Sequence, residues 1–295
     1  MRKWKIGDVT ITKIVESEIE GGLDGLIPKA TREAVLPLAW MKPHFMTNDG
    51  ALKISIHALV VQTPSRCILV DTCVGNDKHR PALPNWDKLQ LPFLKHMEEA
   101  GFKRDSIDTV VCTHLHVDHV GWNTMLVGGK WVPTFPKARY LMGQREFEYW
   151  RSESDAADPH EGFAAIQVDV FSDSVKPVFE AGLVDLVEVD HRICEEVRLV
   201  PTHGHTPGHV SVRVESKGET ALITGDFIHH PCQLAHPDWA TVVDYDQKES
   251  TRTRARTFEA LCAEPTLVIG THFAGATAGR IVRDGNAYRL EVSEA

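Results

Sequence analysis

The chain has no run approaching the roughly 18 consecutive apolar residues that a membrane-spanning helix requires, so no membrane partner is expected. It also lacks a basic surplus: 41 acidic against 32 basic residues give a formal charge of −9, with no basic stripe. A nucleic-acid partner is not expected either, because phosphate contacts draw on clustered Lys and Arg. Cysteine is sparse and scattered (Cys67, Cys73, Cys112, Cys194, Cys232, Cys262), with no C-x-x-C spacing. These read as reduced thiols in a core, with Cys73 and Cys232 closest to segments that carry chemistry. The basic opening Met1-Arg2-Lys3-Trp4-Lys5-Ile6-Gly7-Asp8 has no apolar stretch behind it, so a secretory signal is not expected and a cytoplasmic location is. No G-x-S-x-G elbow supplies a serine nucleophile. No internal repeat or low-complexity linker divides the 295 residues, and a single domain over 1–295 is expected.

Short runs rich in Val, Ile and Thr, bounded by Gly, Pro, Asn or Asp, read as strands. They are Val9–Val15, Lys53–Gln62, Cys67–Asp71, Thr109–Thr113, Ala138–Met142, Leu183–Val189, Val197–Pro201, His209–Glu215, Ala221–Thr224, Thr266–Gly270 and Arg280–Val282. Helical periodicity is confined to Leu89–Ala100, Gly143–Ser152 and Gln247–Ala263. The pattern predicts mixed sheets covered by helices, in the α+β class. Two stretches, 20–50 and 128–173, contain irregular segments expected to act as lids or pocket walls, the second through Gly128–Pro136 and Arg151–Asp173. Trp40, Met41, Phe45, Trp122, Trp131 and Phe135 are candidates for an apolar pocket.

Histidine is what the chain has in abundance, sixteen in all, and most of it is clustered. His114-Leu115-His116-Val117-Asp118-His119 packs three imidazoles and a carboxylate directly behind the strand ending at Thr113. Crowded imidazoles repel when protonated and compete for solvation when buried; a divalent cation converts both costs into ligation. Three more clusters follow strand ends: His203-Gly204-His205-Thr206-Pro207-Gly208-His209, Gly225-Asp226-Phe227-Ile228-His229-His230, and Gly270-Thr271-His272. Ligands converging from several strand ends make a rigid metal site. Isolated histidines such as His57, His79, His96 and His191 read as surface or core residues.

The H-x-H-x-D-H spacing at His114, His116, Asp118 and His119 resembles the signature of the metallo-β-lactamase superfamily. His205 in its G-H-T-P-G-H setting, Asp226 and His272 follow in the order of that family. Asp71 stands where the family has an apolar-Asp-Thr-Gly turn, with Cys73 replacing the glycine. The resemblance, spanning about Leu52 to Phe273, implies an αββα sandwich of two mixed β-sheets flanked by helices. It implies two divalent metal ions, with Zn2+ expected and Fe, Mn or Co as alternatives. His114, His116 and His205 would hold the first ion and Asp118, His119 and His272 the second, with Asp226 bridging; His203 and His209 are rivals of His205. The implied function is a dinuclear metal-dependent hydrolase in which a bridging hydroxide attacks the substrate.

Within the superfamily the chain resembles the lactonase and organophosphate- or ester-hydrolase branch. The expected reaction is opening of a lactone, as in an N-acyl homoserine lactonase, or cleavage of another carboxylic ester. A phosphotriesterase activity like that of methyl parathion hydrolase, β-lactam hydrolysis on the same site and a non-catalytic metal-binding protein are the alternatives. The resemblance implies Asp118, also an expected ligand, and His229 as catalytic residues. His229 stands where the acyl-homoserine lactonases have a substrate-positioning Tyr, and is expected to donate a hydrogen bond, tuned near neutral pH. The partner is a small-molecule ester or lactone, and the irregular N-terminal segment is a candidate homodimer contact.

Overall fold

Val- and Ile-rich runs build two sheets whose strands are apolar on both sides, because each sheet is covered on both faces. A computed structural model describes residues 2–23, 25–156 and 162–292; residues 24 and 157–161 of the two expected pocket-wall segments lie outside the described residues. The first sheet has the order β1 (Lys3–Ile6), β2 (Val9–Glu20), β3 (Lys53–Gln62), β4 (Cys67–Val70), β5 (Thr109–Cys112), β8 (Arg139–Gly143), β9 (Val184–Val187). Its first four strands run antiparallel and the β4–β5–β8–β9 pairings are parallel. The second sheet comprises β10 (Val197–Pro201), β11 (Val210–Ser216), β12 (Glu219–Ile223), β13 (Leu267–Ile269), β14 (Ala278–Asp284) and β15 (Ala287–Glu291), in that order. Only β12 and β13 pair in parallel there.

Alternation along the strands sorts side chains into three layers. Ile68, Val70 and Val111 of the first sheet meet Val212, Ile223 and Ile269 of the second. Leu69 and Val110 instead face outward onto helices α1 (Phe93–Glu99), α2 (Gln144–Asp155) and α3 (Gly162–Val170). Leu222 and Val268 pack outward against Phe258 and Leu261 of a later helix, Gln247–Ala263. The result is the αββα sandwich. Among the described residues no helix is long and apolar enough to cross a membrane.

Three expectations need correction. Arg151–Asp173 is largely helical: α2 continues to Asp155, α3 follows from Gly162, and Phe171–Val175 forms a π-helical turn. The α3 sequence carries few polar residues to mark a solvent face, so its period is faint. Gly128–Pro136 contributes to a hairpin, β6 (Thr124–Val127) and β7 (Lys130–Pro133), turned by Gly128 and Gly129 with positive φ. The third concerns the candidates for an apolar pocket. Met41 and Phe45 belong to the layer over the second sheet, with Trp40 packed against it, and Phe135 belongs to the core over the first. Trp122 stacks on Phe93 at 5.8 Å, and Trp131 lies under the Lys78 ammonium. Burial of large rings in the core outweighs their exposure in a cleft.

Candidate metal centre

Four strands deliver the site. The turns after β5, β10, β12 and β13 carry His114–His119, His205, Asp226 and His272 respectively. Parallel pairing of β12 with β13 sets two of these ends side by side, locked where the Thr271 amide donates to Thr224 Oγ1 at 3.1 Å. The β5 end arrives from the other sheet, and the Val210 amide donating to Thr113 O at 3.0 Å joins the sheets there.

Asp226 is the hub. Its Oδ2 lies 4.0 Å from His114 Nε2, 3.4 Å from His119 Nε2, 3.7 Å from His205 Nε2, 3.2 Å from His229 Nε2 and 3.2 Å from His272 Nε2. Around it, donor atoms of His114, His116 and His205 fall within 4.8 Å of one another, as do those of Asp118, His119 and His272. Two further groupings, His114–His119–Asp226 and His205–Asp226–His229, meet the same limit. His205 Nε2 faces His116 Nδ1 at 2.9 Å, and His272 Nε2 faces His119 Nε2 at 3.3 Å. Two ring nitrogens so placed can share only one proton, whereas a cation serves both. His114 Nε2 and Asp226 Oδ1 are buried with no hydrogen-bond partner. Imidazole nitrogens and carboxylate oxygens in this arrangement fit divalent cations, and the donor set suits zinc.

The opposite edges of the His119, His205 and His114 rings are held from behind, which aims their other nitrogens inward. His119 Nδ1 donates to Asp71 Oδ2 at 3.0 Å, and His205 Nδ1 to Asp244 Oδ1 at 2.9 Å. His114 Nδ1 lies 3.1 Å from Thr113 Oγ1. Asp71 is fixed in turn by the Thr113 amide and hydroxyl, and Asp244 by the Thr241 amide. Of the rivals to His205, His209 stands behind the site: its Nε2 accepts from the Asp226 amide at 2.7 Å and its Nδ1 meets Thr202 Oγ1. His203 lies outside all four ligand groupings and is half-buried. His230 is consumed internally, with Nε2 donating to Phe45 O at 2.9 Å.

Burial pushes His114 and His116 well below the ordinary imidazole range, and neighbouring imidazoles push the same way. Burial also holds His229 below the usual imidazole range, only partly offset by Asp226. For His119 burial is outweighed by Asp226, Asp118 and Asp71, which hold it well above its usual range. Asp226 shows the reverse balance: burial raises it, but His272, His119 and His229 bring it well below the carboxylate range. Such a cluster trades protons for cations readily.

Several buried groups that hold the site have no motif to announce them. Glu16 accepts from the Val74 and Gly75 amides at 2.9 and 3.1 Å and from Trp122 Nε1 at 2.7 Å. That turn is zipped to the ligand segment, since the Thr72 amide donates to His119 O and the Gly121 amide to Cys73 O. Gly121 is required there, because a Cβ would fall 1.7 Å from Val74 O. Gln233 Oε1 accepts from the His229 amide at 2.7 Å and fixes that turn. In the sequence Glu16 is one charge within a strand, Asp244 one acid in a loop and Gln233 one amide. Only contact across the fold gives them meaning.

Above the cluster opens a pocket of about 500 Å³. His116, Asp118, His205, Asp226, His229 and His272 line its base, and Leu23, Leu26, Leu83, Trp86, Phe163 and Val243 line its walls. Residues Glu20–Leu23, Leu26 and Phe163 come from the two segments expected to wall a pocket; Leu83 and Trp86 do not. Among the described residues no Lys or Arg lines it.

Residues 53–270 match the family model of the metallo-beta-lactamase superfamily. An N-acyl homoserine lactonase from Bacillus sp. is 23% identical over 193 residues, covering 61% of this chain and 67% of that protein. Among solved structures, AidC, a dizinc quorum-quenching lactonase in complex with a product, aligns at a TM-score of 0.78 and 20% identity, over 100% of this chain and 97% of that one. The hydrolase AbOPH, in the beta lactamase superfamily, aligns at 0.81 and 22% identity, over 99% of this chain and 97% of that one. At these identities the structural likeness speaks for the fold. With the family match covering most of its length, the chain belongs to the metallo-β-lactamase superfamily.

Proposed function

We propose that this chain is a dinuclear metal-dependent hydrolase that opens a lactone or cleaves another neutral carboxylic ester, with N-acyl homoserine lactones as the first substrates to test. The observation that carries the reading is the pairing of two ligand groupings around Asp226 with a mainly apolar pocket in which, among the described residues, no Lys or Arg lies. His114, His116 and His205 would hold one ion, Asp118, His119 and His272 the other, and Asp226 both. Divalent cations bound there supply Lewis-acid polarisation of a carbonyl and acidify a water toward neutral pH.

The chain's own groups supply orientation. Leu23, Leu26, Trp86 and Phe163 would seat an acyl chain and exclude water from the reacting ester. His229, its amide fixed by Gln233, would offer a ring N–H to the ester carbonyl or the leaving oxygen. Asp118, the least buried carboxylate of the site, faces the pocket, its Oδ2 3.5 Å from His272 Nε2. Away from the ions, the described residues of the pocket wall include no Lys or Arg to pair with a substrate anion, so neutral substituents are favoured there. That weighs against β-lactams, which carry a carboxylate. The same feature admits a neutral phosphotriester as the second reading.

A zinc-loaded sample assayed against N-acyl homoserine lactones, simple lactones, aryl esters, phosphotriesters and β-lactams discriminates these readings. Lactone or ester turnover is expected to lead. Turnover of phosphotriesters alone, or of β-lactams alone, would replace the proposal.

A further inference from the structure

Leu115, between His114 and His116, has both of its backbone polar groups held by buried side chains from helices. Its amide donates to Glu146 Oε1 at 3.2 Å, and its carbonyl accepts from Gln167 Nε2 at 3.0 Å. Glu146, on α2, is 1% exposed, and Gln167, on α3, is 2% exposed. The other Glu146 oxygen, Oε2, accepts from the Gly208 amide at 2.9 Å, three residues beyond His205. Trp150 Nε1, one turn along α2, donates to Oε1 at 2.7 Å and fixes the carboxylate rotamer. The backbone of Gly208 touches the helix so closely that a Cβ there would lie 2.5 Å from the Glu146 amide nitrogen.

Glu146 therefore joins two loops that are about 90 residues apart in sequence and that carry the three imidazoles of one ligand grouping. We infer that Glu146, assisted by Gln167, is a positioning residue that sets the spacing of the His114–His116 segment against the His205 loop. The inference rests on the proposed metal-binding role of those histidines. A carboxylate is needed because both of its oxygens face N–H donors. Glutamine, of the same shape, must turn its NH2 toward one of those sets and break it. Glu146 does not line the pocket; its effect reaches the site through the two backbones it joins and through Trp150, whose ring meets the His116 ring edge-on at 5.5 Å between centroids.

The test compares wild type, Glu146→Gln and Gln167→Leu after metal removal, using far-ultraviolet circular dichroism, zinc titration against a chromophoric chelator, and the visible spectrum after cobalt loading. Glu146→Gln is expected to keep the wild-type dichroism, lose about tenfold in zinc affinity in one of two binding steps, and alter the cobalt ligand-field bands. Gln167→Leu is expected to move the same readouts in the same direction by less. A folded Glu146→Gln protein with wild-type zinc affinities and an unchanged cobalt spectrum overturns the inference. Should Glu146→Gln not fold, Gln167→Leu decides by the same criterion. Wild type that binds no zinc would overturn the ligand assignment itself, and this inference with it.

Discussion

Asp226 explains why so many histidines can be buried together. One carboxylate oxygen lies within 4.0 Å of five imidazole nitrogens, so any substitution there unbalances the whole cluster. Asp226→Ala is expected to abolish binding of at least one ion and with it turnover, as read by metal analysis after dialysis; retention of two ions per chain would contradict this. Asp244→Asn is a milder test. Asparagine holds the His205 ring less firmly and without charge, and the expected loss is about 10–100-fold in metal affinity by chelator competition. His229→Phe separates substrate contact from ligation. It should leave metal content unchanged and lower kcat on the order of 100-fold, the scale of one lost transition-state hydrogen bond. Loss of metal instead would make His229 a ligand through its grouping with His205 and Asp226.

At the scale of elements, the strand ends were the legible part. Short β-rich runs closed by Gly, Thr or Asp predict both the sheet positions and the four turns that carry the proposed ligands, because a local pattern suffices for each. Elements whose character depends on neighbours were hidden. Helix α3 shows no polar face, β2 continues past Val15 through a bulge to Glu20, and β15 leaves no distinct signature in a polar tail. The clamp on the π-helical turn was equally hidden. Lys78, fully buried, donates to Thr124 Oγ1 at 2.6 Å and to Asp173 O at 3.1 Å, while Arg80 pairs bidentately with Asp173. Burial lowers Lys78 to about 7, against the pull of Asp173 and with the push of Arg80. A base depressed in the folded state binds fewer protons folded than unfolded between that value and its ordinary one. Its penalty is full below about pH 7 and fades as pH rises toward the unfolded value. The stability of wild type relative to Lys78→Met should therefore rise between pH 7.5 and 10, as followed by urea midpoints at steps of ~0.5 pH. A pH-independent difference would show that the lysine is not depressed.

For the molecule as a whole, two sheets meet so that one edge gathers the proposed ligands and a mainly apolar pocket covers them. The family and fold were legible in motif order, whereas the walls of the pocket were legible only in part: Leu23, Leu26 and Phe163 fall in the expected segments. Trp86 and Leu83 sit in a loop without periodicity, and Trp40 and Phe45 look equally exposed until the layer over the second sheet is seen. A site that binds ions only when folded also couples them to stability. Zinc at about a thousandfold excess over its Kd should stabilise the chain by ~4 kcal/mol against the metal-free form, seen as a rise in Tm. The central claim is that the ions at Asp226 enable hydrolysis of a neutral ester. It is tested most directly by adding zinc stepwise to metal-free protein while recording hydrolysis of an N-acyl homoserine lactone. Turnover should rise from nil and reach its plateau near two equivalents per chain. Full turnover before any metal is added, or none after both equivalents are bound, would contradict the account.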